Sequence, residues 1–171
     1  LSGGFGSSAS CILAGVLAAN EIAGKPLNKE ELFYMAAKIE GHPDNIAPAL
    51  FGDMVLSISH KDKIYYNKVK LSKDLKFCAF VPDFTLSTKE SRKVLPKTVS
   101  YSDAIFNVSH SSMLVSALMN GNHDLIHYAC KDKLHQPYRG KLIANFEEII
   151  KKSNDLGCLG VYLSGAGPTI M

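Results

Sequence analysis

A chain of 171 residues, 46% hydrophobic and 20% charged, has the composition of an ordinary soluble globular protein and suits one large domain or two small ones. The net charge is only +3 and no polybasic run is present, which argues against nucleic acid or a membrane surface as partner. No apolar stretch reaches the roughly 18 residues of a membrane span, and four cysteines without C-x-x-C spacing read as reduced, buried thiols of a cytoplasmic protein.

In chain order, the Ala- and Leu-rich run from Ser7 to Ala23 predicts a buried helix that stops at Gly24, with Pro26 behind it. Asn28-Lys-Glu-Glu31 has the form of a capping box, and Leu32, Met35, Ala36 and Ile39 would be the apolar face of the helix it opens. That helix ends at Glu40-Gly41. A turn follows over His42-Pro-Asp-Asn45, where Asp44 could cap a short helix through Ala49, with Gly52 as the breaker. Met54–Ser59 and Ile64–Leu71 read as two strands around a turn at 60–63. A domain boundary is expected near residue 72.

Beyond it, Lys76–Val81 reads as a strand, and Ser87-Thr-Lys-Glu90 as a second capping box opening a short helix that stops before Pro96. Three helices are expected at Ser102–Asn120, His123–Leu134 and Lys141–Leu156. A strand at Leu159–Leu163 and a Ser-Gly-Ala-Gly-Pro turn complete the chain. Helices and strands come in runs and do not alternate strictly, which favours α+β over a doubly wound sheet. The chain opens directly on a glycine loop, shows no signal peptide and stops inside a strand-like run, so both ends of a longer protein are expected to be missing.

Three motifs carry chemistry. Gly3-Gly4-Phe5-Gly6-Ser7-Ser8-Ala9 leads into a helix, so free N–H groups and the helix dipole would meet an anion there: a phosphate cradle by mechanism. It lacks the G-x-x-x-x-G-K-[ST] of a Walker loop. It formally fits a dinucleotide fingerprint, but the helix is followed by another helix and not by a strand. A tight packed turn is the plain structural alternative. Glu40-Gly-His-Pro-Asp-Asn45 gathers two carboxylates, an imidazole and an amide, and Mg²⁺ takes such hard oxygens, usually only one or two from protein. Leu163-Ser-Gly-Ala-Gly-Pro-Thr169 is a second glycine turn that could close over a phosphate. The basic residues are seventeen Lys and only two Arg, Arg92 and Arg139; compositional bias is the plain reading of that ratio, and on it arginine could survive where a planar fork is needed.

In order and type these motifs resemble the GHMP kinase superfamily. Glu40-Gly-His-Pro-Asp-Asn-Ile-Ala-Pro48, Leu95-Pro-Lys-Thr-Val-Ser100 and Asp132-Lys-Leu-His-Gln-Pro-Tyr-Arg139 resemble its homoserine kinase family in particular. The resemblance covers essentially the whole chain. Leu1 and Phe5 depart from the family's glycine loop, where Pro and Leu are usual. It implies a two-domain fold: a nucleotide-binding N-terminal remnant over 1–72, like the second domain of ribosomal protein S5, and an incomplete ferredoxin-like C-terminal domain over 73–171.

The activity so implied is ATP-dependent phosphorylation of the side-chain hydroxyl of L-homoserine, in threonine biosynthesis, with Mg²⁺ as cofactor, by a cytoplasmic homodimer. Mevalonate- or shikimate-type kinases and, for this piece of chain, a catalytically inactive scaffold are the rival readings. By the resemblance Gly3, Gly4, Gly6, Ser7, Ser8 and Ala9 wrap the ATP phosphates, and Ser8 and Glu40 bind the metal. Arg92 and Arg139 take the substrate carboxylate, with His42, Asn45 and Gly165 also at the substrate. Ser8, Asp44 and Asn45 are the catalytic candidates. Either Asp44 or Asn45 would face the reacting hydroxyl. If it is Asn45, the γ-phosphate takes the proton.

Overall fold

The computed structural model describes residues 3–171, which form two compact units. One is Gly6–Leu71, and the other combines residues 3–5 with Ser72–Met171. Each unit mixes helix with short β pairing, in segregated runs, as an α+β chain does.

The first unit holds α1 (Ser7–Ile22), α2 (Lys29–Glu40), α3 (Ile46–Phe51) and an antiparallel pair, β1 (Met54–His60) and β2 (Lys63–Val69), in register from Met54↔Val69 to His60↔Lys63. Helix α1 packs one stripe only: Ala9, Leu13 and Val16 are buried, whereas Leu17 is 37% and Ile22 89% exposed. The expectation of a buried helix therefore applies to one face. On α2 the buried positions are Leu32, Phe33, Ala36 and Ala37; Met35 and Ile39 of the expected face are exposed. The apolar stripe is rotated because Phe33 packs edge-on against Phe51 and Tyr66, with ring centroids 5.2 and 5.5 Å away.

The first capping box forms as its residues dictate. Asn28 Oδ1 accepts from Glu30 N at 2.9 Å and Glu31 N at 3.1 Å, and Asn28 N donates to Glu31 Oε2 at 2.8 Å. Asn28→Ala should therefore destabilise the protein by about 1 kcal/mol. Thermal unfolding would read this as a lowered Tm, and an unchanged Tm would show that the box contributes nothing.

The second unit holds α4 (Thr88–Lys93), α5 (Tyr101–Asn120), α6 (Ile126–Ala129), α7 (Gln136–Arg139) and α8 (Phe146–Asp155). Ser87 and Ser100 cap α4 and α5 through Glu90 N and Asp103 N, at 3.1 and 3.0 Å. Its core is Ile143, Phe146, Leu163 and Ile170, with a smaller cluster of Ala117, Ile126 and Cys130.

Four expected elements differ here. The helix expected over 123–134 is a 3-10 turn at His123–Leu125 followed by the short α6. It breaks because Asp132 and Lys133 N bond to Asn107 of α5 instead of continuing the helix. The helix expected from Lys141 starts at Phe146, since Asn145 sits at φ 58, outside helical space. The strands expected at 76–81 and 159–163 reduce to isolated bridges, Phe80↔Ile170 and Leu163↔Ile170. All four cysteines are free, and only Cys130 is buried; Cys11, Cys78 and Cys158 are exposed, against the expectation of buried thiols. Burial pushes the Cys130 thiol up to about 11, so it stays protonated and inert. Among the described residues no helix is long and apolar enough to cross a membrane.

Candidate active site

The glycine loop of the first unit ends in Gly6, which sits at φ 69 as the N-cap of α1. Its carbonyl accepts from Ser10 N at 3.0 Å and so starts the helix. Among the described residues the N–H groups of Ser7, Ser8 and Ala9 make no hydrogen bond. They are the open donors of a 16-residue helix, an arrangement that favours an anion. The Ala9 side chain is fully buried, so only its N–H can serve.

Ser8 Oγ donates to Glu40 Oε2 at 2.8 Å, tying the start of α1 to the end of α2. Glu40 is held there because Gly41 turns the chain at φ 91 and its N–H bonds to Ala37 O. The two oxygens meet in an exposed position beside the open helix terminus. They are hard donors, and with phosphate oxygens they would suit Mg²⁺. Among the described residues no group of three or more His, Cys, Asp and Glu side chains could hold a metal without such help.

The turn after Gly41 separates its two candidates. Asn45 packs onto the glycine loop: a Cβ on Gly6 would lie 3.1–3.2 Å from its side chain. Asp44 is 70% exposed and turns to His42, whose Nδ1 is 2.6 Å from Asp44 Oδ1 but lacks hydrogen-bond alignment. Asp44 also accepts from Asn45 N at 3.1 Å. It does not cap α3, whose N-cap position is Asn45, without a side-chain bond. The expected cap fails because the Asp44 side chain is already taken up inside the turn.

In the second unit, Arg139 ends α7. Its Nη1 donates to Gly165 O at 3.0 Å and its Nε to Ser91 O at 3.4 Å, which leaves other donors of the guanidinium free. Burial lowers its pKa, and the neighbouring charge of Arg92 lowers it further. Two cations held in reach of each other are a receptive place for an anion. Arg92 itself is exposed.

The turn at 164–168 is fixed from several sides. Ser91, fully buried, donates from Oγ to Ala166 O at 2.7 Å. Ser164 Oγ donates to Gly4 O at 2.7 Å and Thr169 N to Gly3 O at 3.3 Å, so Gly3 and Gly4 belong to this unit's packing. Gly4 lies at φ 83, and a Cβ there would collide with the Ser164 carbonyl oxygen. Gly167, at φ 83, precedes a cis Pro168 and packs against Leu163.

Sequence reasoning missed Ser91, Ser164, Gln136 and Asn107. Gln136 Oε1 accepts from Leu163 N at 2.8 Å, which anchors α7 against the segment leading into the turn. The signal for Gln136 was its place in the Asp132–Arg139 motif and that for Ser164 its place in the Leu163–Thr169 turn; Ser91 and Asn107 stand in ordinary polar contexts.

The geometry brings together an open helix N-terminus with an adjacent hydroxyl–carboxylate pair in the first unit, and sets Arg139 near the charge of Arg92 in the second. Residues 1–53 match the family described as GHMP kinases N terminal domain, and residues 107–171 match GHMP kinases C terminal. The chain belongs to the GHMP kinase family. It is 57% identical over 171 residues to homoserine kinase from Clostridium botulinum type A, and 53% identical to that from Clostridium beijerinckii. All of this chain aligns in both comparisons, against 58% and 57% of those proteins, so it spans little more than half of their length. A crystal structure of homoserine kinase from Cytophaga hutchinsonii superposes with a TM-score of 0.88 at 31% identity, over 99% of this chain and 56% of that one.

Proposed function

We propose that the full-length protein transfers the γ-phosphoryl group of ATP to the side-chain hydroxyl of L-homoserine, yielding O-phospho-L-homoserine and ADP. The observation that carries the reading is the 2.8 Å contact of Ser8 with Glu40 at the open N-terminus of α1. The likeness to homoserine kinases over the whole chain supports the choice of substrate, as do the two arginines, whose planar forks suit a carboxylate. The same resemblance supports a homodimeric cytoplasmic enzyme of threonine biosynthesis.

In this reading the N–H groups of Ser7, Ser8 and Ala9 hold phosphate oxygens, and Ser8 and Glu40 hold Mg²⁺. The ion supplies positive charge to the phosphoryl oxygens. Arg139 and Arg92 take the homoserine carboxylate. Asn45, packed on Gly6, faces the reacting groups, and an amide accepts no proton near neutral pH. The hydroxyl proton therefore passes to the transferred phosphate, and Asp44 stays in its turn with His42. Asp44→Asn should then lower kcat by less than the ~10²-fold that marks the loss of acid–base help. A loss of about 10³-fold or more, with ATP binding intact, would make Asp44 the base.

The test of the proposed activity is ADP release by the full-length protein with L-homoserine, L-serine, L-threonine and mevalonate compared at equal concentration. L-Homoserine should show the highest kcat/KM. A higher value for mevalonate would overturn the assignment.

A further inference from the structure

Asp132 is a buried carboxylate to which the reaction above gives no role. Its side chain is 8% exposed. One oxygen accepts from His135 N at 2.7 Å and from Gln136 N at 2.6 Å, and the other accepts from Asn107 Nδ2 at 2.5 Å. Asn107 Oδ1 in return accepts from Lys133 N at 2.8 Å. Burial alone would raise the Asp132 pKa. The three donors, with a small contribution from His135, outweigh it and hold the group below the usual carboxylate range, ionised at neutral pH.

What this carboxylate fixes is the start of α7. The open N–H groups of a first helical turn need acceptors, and Asp132 supplies them at His135 and Gln136. Gln136 then bonds to Leu163 N and to Cys130 O, at 2.8 and 3.3 Å. Three residues further on, Arg139 comes within reach of the Gly165 and Ser91 carbonyls. The charge of Asp132 also acts on the Arg139 guanidinium in the sense opposite to that of burial and Arg92.

We propose that Asp132 is a positioning residue for carboxylate recognition: by anchoring α7 to α5 and placing a negative charge behind it, it sets the orientation of the free N–H donors of Arg139. The inference rests on the phosphotransfer reading above, in which Arg139 binds the homoserine carboxylate.

The experiment compares wild-type full-length protein with Asp132→Asn on two substrates, L-homoserine and 3-amino-1-propanol, which is the same amino alcohol without the carboxylate. A misplaced Arg139 should raise the KM for L-homoserine about 5- to 10-fold. The KM for ATP and the kcat/KM for 3-amino-1-propanol should stay within about twofold, so discrimination in favour of the carboxylate falls by the same factor. Equal losses on both substrates would mark a purely structural role and overturn the proposal, as would unchanged discrimination. If Asp132→Asn does not fold, Asn107→Ala carries the test. It removes one of the bonds to Asp132 and should lower the same ratio about 2- to 3-fold, and an unchanged ratio overturns the proposal. A wild-type protein that does not phosphorylate L-homoserine would instead overturn the reading on which the inference rests.

Discussion

Gly6→Ala is expected to lower kcat/KM for the phosphoryl transfer by about 10²-fold or more. Gly6 lies at φ 69, where a side chain costs roughly 1–2 kcal/mol. The new methyl would also stand 3.1–3.2 Å from three atoms of the Asn45 side chain, closer than ordinary contact. Either Asn45 moves or the first turn of α1 tilts, and both displace groups assigned to the reaction. Misplacement by about 1 Å can cost on the order of 10²-fold in rate. The control is Gly15→Ala in the same helix, where an added Cβ meets nothing within 4 Å. That variant should keep full activity and gain about 0.5–1 kcal/mol of stability. Steady-state kinetics with thermal unfolding on both variants separates the effects. A Gly6→Ala enzyme within threefold of wild type would remove the loop from the catalytic machinery.

Arg139→Lys should lower kcat/KM for L-homoserine about 10- to 10²-fold while leaving the KM for ATP nearly unchanged. The guanidinium bonds to the Gly165 and Ser91 carbonyls and still has donors to offer a carboxylate. A lysine ammonium is a point charge on a flexible stem and cannot hold both carbonyls while presenting a second face. A charge-assisted bond of this kind contributes about 1.5–3 kcal/mol, which sets the range. Arg92→Lys should follow in the same direction with a smaller effect, since Arg92 is exposed. Unchanged homoserine kinetics in Arg139→Lys would reduce that residue to a structural tie between α7 and the 164–168 turn.

The legible parts of the molecule were those fixed by neighbours in sequence. The Asn28–Glu31 box, the Ser87 cap, the stop at Gly121 and the β1–β2 pairing all follow from residues a few positions apart. The face of α2 was misread because heptad-like spacing favours Met35 and Ile39, whereas the ring packing of Phe33 with Phe51 and Tyr66 decides the rotation. Breaks at 130–135 and 141–145 depend on Asn107 and on a left-handed Asn145, and neither leaves a periodic trace.

For the site, the pairing of Ser8 with Glu40 could be anticipated only through the family resemblance, because 32 residues separate them. Ser91 was invisible for the same reason: its partner, Ala166, lies 75 residues away. Residue type alone marked Arg139, since two arginines among nineteen basic residues stand out. Where Asp44 and Asn45 point was not legible either, because adjacent residues of one turn diverge: Asp44 lies against His42 and Asn45 against Gly6.

The most direct measurement is the identity of the product. Full-length protein incubated with ATP, Mg²⁺ and L-homoserine should generate a new phosphomonoester signal by ³¹P NMR, coupled to a CH₂ group and matching O-phospho-L-homoserine, in step with ADP. Glu40→Gln in the same experiment should require more Mg²⁺ to give the same signal, as loss of a carboxylate ligand demands. Inorganic phosphate as the sole phosphorus product besides ADP, or an O-phospho-L-homoserine signal that does not depend on Mg²⁺, would contradict the account.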